Sequence, residues 1–240
     1  MPIMIRLFLI LLCVTIVFSG CSLLHHNSKY NFNDGIYYSD ILARHPVYVY
    51  QVDEDTLLTF PVKQYPDSTA ILTKEKTIYA PIQKRFKDNL THHNFYKPSL
   101  DVDVMTIPLK YRPTIDGFPN QLTTNFNGAV FCGYRIDQYT LSYDRTPLNT
   151  YKKDIKHLGY SAGFYAGIGS TQITGWQVHD VAPIEYEGVT LITGISANMA
   201  MQSIDFGISL GFDHLLDKYH EYWIYQGKPC IGFTLGVNLN

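Results

Sequence analysis

Residues 204–212 read IDFGISLGF. Ile204, Phe206, Ile208, Leu210 and Phe212 alternate with Asp205, Gly207, Ser209 and Gly211. A period of two is the signature of a β-strand whose two faces meet different surroundings. Here one face is uniformly large and apolar, and the other is small or polar. The pattern returns in residues 231–240, IGFTLGVNLN, where Ile231, Phe233, Leu235, Val237 and Leu239 oppose Gly232, Thr234, Gly236, Asn238 and Asn240.

Four further stretches carry it. In DVDVMTIPLKYR the alternation places Met105, Ile107, Leu109 and Tyr111 on one face, and Thr106, Lys110 and Arg112 on the other. LTTNFNGAVFCGYRI sets Phe126, Val130, Cys132, Tyr134 and Ile136 against Asn125, Asn127, Gly133 and Arg135. LGYSAGFYAGIGST sets Leu158, Tyr160, Phe164 and Ile168 against Gly159, Ser161, Gly163 and Gly167, and VTLITGISANMAM sets Val189, Leu191, Ile195 and Met199 against Thr190, Gly194, Ser196 and Asn198. A soluble sandwich has lysine and glutamate on its wet face. In residues 158–171, 189–212 and 230–240 the only charge is Asp205. Glycine, serine, threonine and asparagine suit the narrow interior of a small membrane barrel, and the strand lengths fit the 9–11 residues of a tilted crossing. An open sheet edge is not viable in lipid, so the strands must close. The expectation is an all-β protein: a small antiparallel up-and-down membrane β-barrel of about 6–8 strands over residues 102–240.

Six strands are two fewer than the smallest expected barrel. VYVYQV (47–52) and TLLTFPV (56–62), joined by Asp53-Glu54-Asp55, are candidates for the missing pair. The barrel is expected to be preceded by a lipidated tether and short β-rich N-terminal unit over 21–66 that leans on the rest of the chain. Residues 67–101 read as a linker with room for a short helix in YAPIQKRFKDNLTHHNFY.

The chain opens MPIMIRLFLILLCVTIVFSGC, with Arg6 ahead of an apolar run from Leu7 to Phe18. That is a secretory signal over 1–20, too short in its apolar core for a membrane helix. FSGC resembles a bacterial lipobox, which implies cleavage before Cys21 and lipidation of Cys21. Ser22 is not the aspartate of an inner-membrane retention signal, so the implied location is the outer membrane, with the N-terminal unit periplasmic. Acyl chains anchor at about 0.8 kcal/mol per buried CH₂.

Chain direction follows from the loops. Only Gln202 and Ser203 separate two strands, whereas 172–187 and 213–229 are long. Bacterial barrels have short periplasmic turns and long outer loops. Trp176, Tyr222, Trp223 and Tyr225 then fall near outer strand ends, where an aromatic belt is expected. The hairpin at 143–152 is periplasmic in this scheme.

DHLLDKYHEYWIYQGKPCIGFTLGVNLN (213–240), IPLKYRP (107–113) and FNGAVFCGYR (126–135) are similar to a group of uncharacterised outer-membrane β-barrel lipoproteins of Gram-negative bacteria. The resemblance spans most of 102–240 and implies barrel and location, with no activity attached. Outer-membrane strands generally finish on an aromatic residue that the assembly machinery reads, and Leu239-Asn240 departs from this. Assembly then reads another signal, or a partner holds the strand.

With polar faces inward, Lys110, Arg112, Arg135 and Asp205 form a lumenal polar network, and Arg135 with Asp205 is the expected ion pair. A net charge of −2 gives no pointer to nucleic acid. Cys13, Cys21, Cys132 and Cys230 match no metal or disulfide spacing. His92-His93 reads as two loop histidines. No catalytic motif, metal or cofactor is expected. The expected partners are membrane lipids and an outer-membrane complex in which the chain is a structural or accessory subunit. Two alternatives stay open: a small plugged pore, and a lipid-modifying enzyme using His179-Asp180, or Asp213, His214 and His220.

Overall fold

The computed structural model describes residues 32–40, 45–62, 77–79, 92–115, 117–148, 151–201 and 204–238. The signal segment, Cys21, the Gln202-Ser203 turn, Leu239-Asn240 and most of the expected short helix lie outside the described residues. The chain is nearly all antiparallel sheet.

Six long strands dominate: β5 (His93–Arg112), β7 (Asn127–Arg145), β8 (Tyr151–Ile173), β9 (Tyr186–Met201), β10 (Ile204–Leu215) and β11 (Pro229–Asn238). Each pairs antiparallel with the next. The last also pairs with the first, from Ile231↔Tyr111 to Asn238↔Asp103. All six therefore have a neighbour at both edges, in a closed circuit of pairings. The short strand β6 (Gln121–Thr123) pairs with β5 at Lys110–Arg112, continuing the line of β7.

The strands at 46–51 and 57–61 do not enter this circuit. β1 (Gly35–Ser39), β2 (Pro46–Gln51), β3 (Leu57–Pro61) and β4 (Thr77–Tyr79) form a sheet, each pairing with the next. This sheet joins β5 where Tyr38 meets Tyr96 and Ser39 meets Phe95. β1 takes over the edge of β5 beyond the end of β11. The expected linker ends earlier than residue 101, because β5 starts at His93. Its first half, like the ends of β7 and β8, runs past the six-strand circuit. β8, with 23 residues, is about 75 Å long at ~3.3 Å per residue. The extension has its own core, in which Phe32, Tyr37, Val47, Val49 and Leu57 pack on Phe95, Tyr139 and Leu141. Asp55, in the β2–β3 turn, reaches β8: its Oδ1 accepts from Lys153 N at 3.2 Å, and its carbonyl accepts from Tyr143 Oη at 3.1 Å. The N-terminal unit thus leans on the long strands.

Two prolines shape β5. Pro98 pairs with Ile136 on the β7 side, at a level between Tyr96, where β1 leaves, and Asp103, where β11 arrives. A residue without N–H is tolerated where a strand edge has no partner to receive it. Pro108 sits in a bulge: Phe233 pairs with Leu109 but Leu235 with Thr106, so two residues of β5 oppose Thr234. The bulge changes the phase of the strand. Met105 and Ile107 are buried inward, while Leu109 and Tyr111 point out and Lys110 and Arg112 point in. Sequence alternation had put Met105 and Ile107 outside; the extra residue at the proline corrects that assignment.

Candidate functional site: a filled polar lumen inside an apolar belt

The outer face of the circuit is apolar on every strand. Val104 and Leu109 on β5, Val130 and Tyr134 on β7, Phe164 and Ile168 on β8, Val189 and Ile195 on β9, Ile208 and Leu210 on β10, and Ile231 and Val237 on β11 are all exposed. Phe164 reaches 74% exposure. A soluble monomer rarely shows a contiguous apolar patch of more than a few hundred Å²; this one runs round the whole circuit.

Inside, the space is tight. Gly133 and Gly163 face each other across β7 and β8. A Cβ on Gly163 would stand 2.3 Å from Cys132 O and 2.3 Å from the Gly133 Cα. Those obstacles are backbone, so the strands could not curve here with a side chain present. The middle of the lumen is filled by Met105, Ile107, Ala129, Phe131, Tyr165 and Ile192. An ionic cluster lies on each side of this layer.

Near the long loops, Asp213 receives Lys110 Nζ at 2.7 Å on Oδ1 and Arg112 Nη2 at 2.6 Å on Oδ2. All three side chains are almost wholly buried. The Arg112 guanidinium also lies 5.5 Å from the Trp223 ring centre and 5.0 Å from that of Tyr225, a cation–π arrangement. Over it sits a cap of Ile173, Val178, Ala182, Leu215, Trp223, Ile224 and Tyr225. Trp223 and Tyr225, expected in an aromatic belt, are therefore interior cap residues. Backbone hydrogen bonds such as Trp223 N to His220 O and Gln226 N to Trp223 O curl the loop and turn them inward. Trp176 and Tyr222 are on the surface.

At the other end, beside the β9–β10 connection and the N-terminal sheet, Arg135 is completely buried. Its Nε donates to Asp137 Oδ1 at 2.8 Å, and its Nη1 lies 3.6 Å from both Asp101 Oδ1 and Asp205 Oδ2. His157 Nε2 stands 2.7 Å from Asp137 Oδ1. The expected Arg135–Asp205 contact is thus one spoke of a larger cluster, and a long one. Asp101, Asp103 and Asp137 escaped the sequence reading. For Asp137 parity was the available signal, since it shares the inward phase of Arg135; Asp101 and Asp103 share the phase of Met105, which turns inward only because of the bulge at Pro108. Lys110 and Arg112 were expected with Arg135 and Asp205, but the structure separates them into the two clusters.

Of the loop groups considered for catalysis, Asp213 and His220 have other polar partners and His179 has a backbone capping role. Asp213 is held by Lys110 and Arg112. His220 Nδ1 lies 2.8 Å from the Asp217 carbonyl oxygen. His179 is the left-handed C-cap of a 3₁₀ turn at Gly175–Val178. A cavity of about 320 Å³ opens between β6 and the end of β8, lined by Arg112, Gln121, Asn125, Thr171, Trp176 and Gln177 among others, with no histidine or carboxylate among the described residues that line it.

Outside the belt, in the N-terminal sheet, burial raises Tyr37 to about 12 even though its hydroxyl donates to Asn33 O at 2.8 Å.

Comparisons with family models, curated proteins and solved structures found no match to this chain.

Proposed function

We propose that the chain is a lipid-anchored outer-membrane β-barrel with a filled lumen, serving as a structural or accessory subunit of an outer-membrane assembly. The observation that carries this reading is the apolar belt on all six strands of the circuit, wrapped around charged side chains that are buried. In water the belt would favour aggregation. In a bilayer it is the lipid contact, and the pairing circuit satisfies the backbone.

Two features support the orientation. The N-terminal sheet, the two-residue β9–β10 connection and the end of β11 all lie at one end of the circuit, and the long loops cap the other. Phe32 follows Cys21 by eleven positions, a span of at most about 40 Å. A lipid on Cys21 in the inner leaflet is compatible with a periplasmic N-terminal sheet. The resemblance to uncharacterised outer-membrane lipoproteins belongs to the same proposal.

The subunit role rests on the lumen. Interior apolar packing, two ionic clusters and the loop cap leave little room for a conducting path among the described residues. Affinity purification of the full chain in mild detergent tests it. Reproducible recovery with an outer-membrane complex is the expected result. Recovery as an isolated monomer, with steady conductance in planar bilayers, would replace the subunit role with a pore.

A further inference from the structure

At its long-loop end the wall of the circuit has a gap. β7 pairs with β8 as far as Asn127↔Gly169, and Ser170 N donates to Phe126 O at 2.8 Å. Beyond that level β8 runs on through Thr171, Gln172 and Ile173, with β9 along its other edge. β6 takes up the edge of β5 at Gln121–Thr123. Among the described residues no ladder joins β6 to β8. Two strand edges thus face each other, each presenting backbone N–H and C=O groups. The cavity of about 320 Å³ lies between them, at the lower end of the range for small-molecule sites.

Its lining is rich in neutral hydrogen-bonding groups. Gln121 and Asn125 come from the β6 side, and Thr171 and Gln172 from β8. The side-chain amides of Gln121, Asn125 and Gln172 make no hydrogen bond to a described residue. Each such amide can donate and accept at once. Gln177, 6% exposed, has its Oε1 turned to Thr174 N at 3.5 Å, which leaves its NH₂ as a donor. Arg112, the one charged group among the described lining residues, already has a carboxylate oxygen of Asp213 at 2.6 Å. Trp176 is 36% exposed, and Phe118 packs against its ring at 5.0 Å between centres. An indole held on one side and open on the other is a platform for a flat, partly apolar ring.

From this geometry we infer a binding site for a neutral saccharide of one or two sugar rings, stacked on Trp176 and hydrogen-bonded by Gln121, Asn125, Gln172 and Gln177. Sugar hydroxyls both donate and accept, which amides and threonine hydroxyls match. A phosphate or carboxylate ligand would call for unpaired cations, and an acyl chain for apolar walls. The site itself needs only the fold. That its sugar comes from outside the cell, as free oligosaccharide or as sugar residues of an outer-leaflet glycolipid, rests on the orientation proposed above.

The test uses the full chain in a detergent whose headgroup carries no sugar. The probes are glucose, galactose, N-acetylglucosamine, maltose, lactose, and lipopolysaccharide with and without its acyl chains. Binding is read by titration calorimetry and by tryptophan emission. The chain has two tryptophans, and the second, Trp223, is buried, so Trp176 carries the response to a ligand in the cavity. At the efficiency usual for small ligands, a Kd on the order of 10 µM to a few mM is expected for at least one probe. Trp176→Ala and Gln172→Ala, both at exposed positions, should each weaken the calorimetric binding about tenfold or more. Tyr222→Ala, at an exposed aromatic outside the lining, should leave it unchanged. Binding of the soluble sugars supports the site with a free oligosaccharide as ligand. Binding of lipopolysaccharide alone, retained after deacylation and lost in Trp176→Ala, supports it with the glycolipid as ligand. No saturable binding of any probe would overturn the site, and so would equal affinity in the wild type and both cavity variants. These readouts do not depend on which side of a membrane the loops occupy, so failure of the site and failure of the orientation are told apart.

Discussion

Replacing Phe164 by arginine separates two environments that give opposite results. Phe164 is 74% exposed, on the outer face of β8, and pairs with Cys132 of β7 and Ile195 of β9. It makes few contacts that truncation could cost. In water, a substitution at so exposed a site changes stability by within about 0.5 kcal/mol. In a bilayer, an arginine on the lipid face costs about 2–4 kcal/mol near the midplane and about 0–1 near the interfaces. The pairing level of Phe164 is well inside the circuit, so the large value applies. Phe212, near the long-loop end of β10, should give the small value. Leu148, in the β7–β8 turn beyond the belt, should give a change near zero. The assay is denaturant unfolding from lipid vesicles, followed by tryptophan fluorescence, with the same three arginine variants compared. A Phe164→Arg change of less than about 0.5 kcal/mol, equal to that of Leu148→Arg, would refute the lipid contact.

Three other outcomes follow. Asp213→Asn leaves Lys110 and Arg112 buried without their shared carboxylate and should cost about 3–5 kcal/mol, the usual loss when one partner of a buried pair is removed; denaturant unfolding measures it. Gly163→Ala sets a methyl against the Cys132 carbonyl and should cost about 1–3 kcal/mol, seen as a lower temperature for the change in gel mobility that accompanies unfolding in detergent. Tyr37 should make the N-terminal sheet sensitive to alkali. Its folded value of about 12 lies above the ordinary 10.0, so the folded state holds the proton more tightly. The contribution is complete below pH 10 and is lost as pH rises toward about 12. Tyrosinate absorbance should show a late-titrating population that joins the early one when the sheet unfolds.

Much of the circuit was legible because β8 to β11 alternate without interruption, and a period of two fixes which side chains share a face. Phe164, Ile208 and Phe233 all stand where alternation puts them. What alternation cannot fix is register and closure: nothing in the sequence says that Ile231 lies opposite Tyr111. β5 was the hardest strand to read. Pro108 inserts a bulge that inverts the phase between Ile107 and Leu109. Its first half carries Lys97, Pro98 and Ser99, which look like linker until β7 is laid beside them. The lumenal clusters were half legible. Arg135 and Asp205 stand out as isolated charges on small-residue faces, whereas Asp101 fell just outside the expected barrel boundary and Asp103 shares the parity of Met105, which plain alternation puts on the outer face. Trp223 and Tyr225 have the composition of a belt but sit in a curled loop, and only its turns decide that they point inward.

The central claim is that the outer face of the six-strand circuit meets lipid. Cys132 offers a native probe: it is an exposed free thiol on the outer face of β7, while Cys230 is buried. A nitroxide on Cys132 in vesicle-reconstituted protein, relaxed by oxygen and by a water-soluble nickel chelate, reads its surroundings directly. The account predicts strong relaxation by oxygen and little by the chelate. Ready access of the chelate, as for a water-exposed strand, would contradict it.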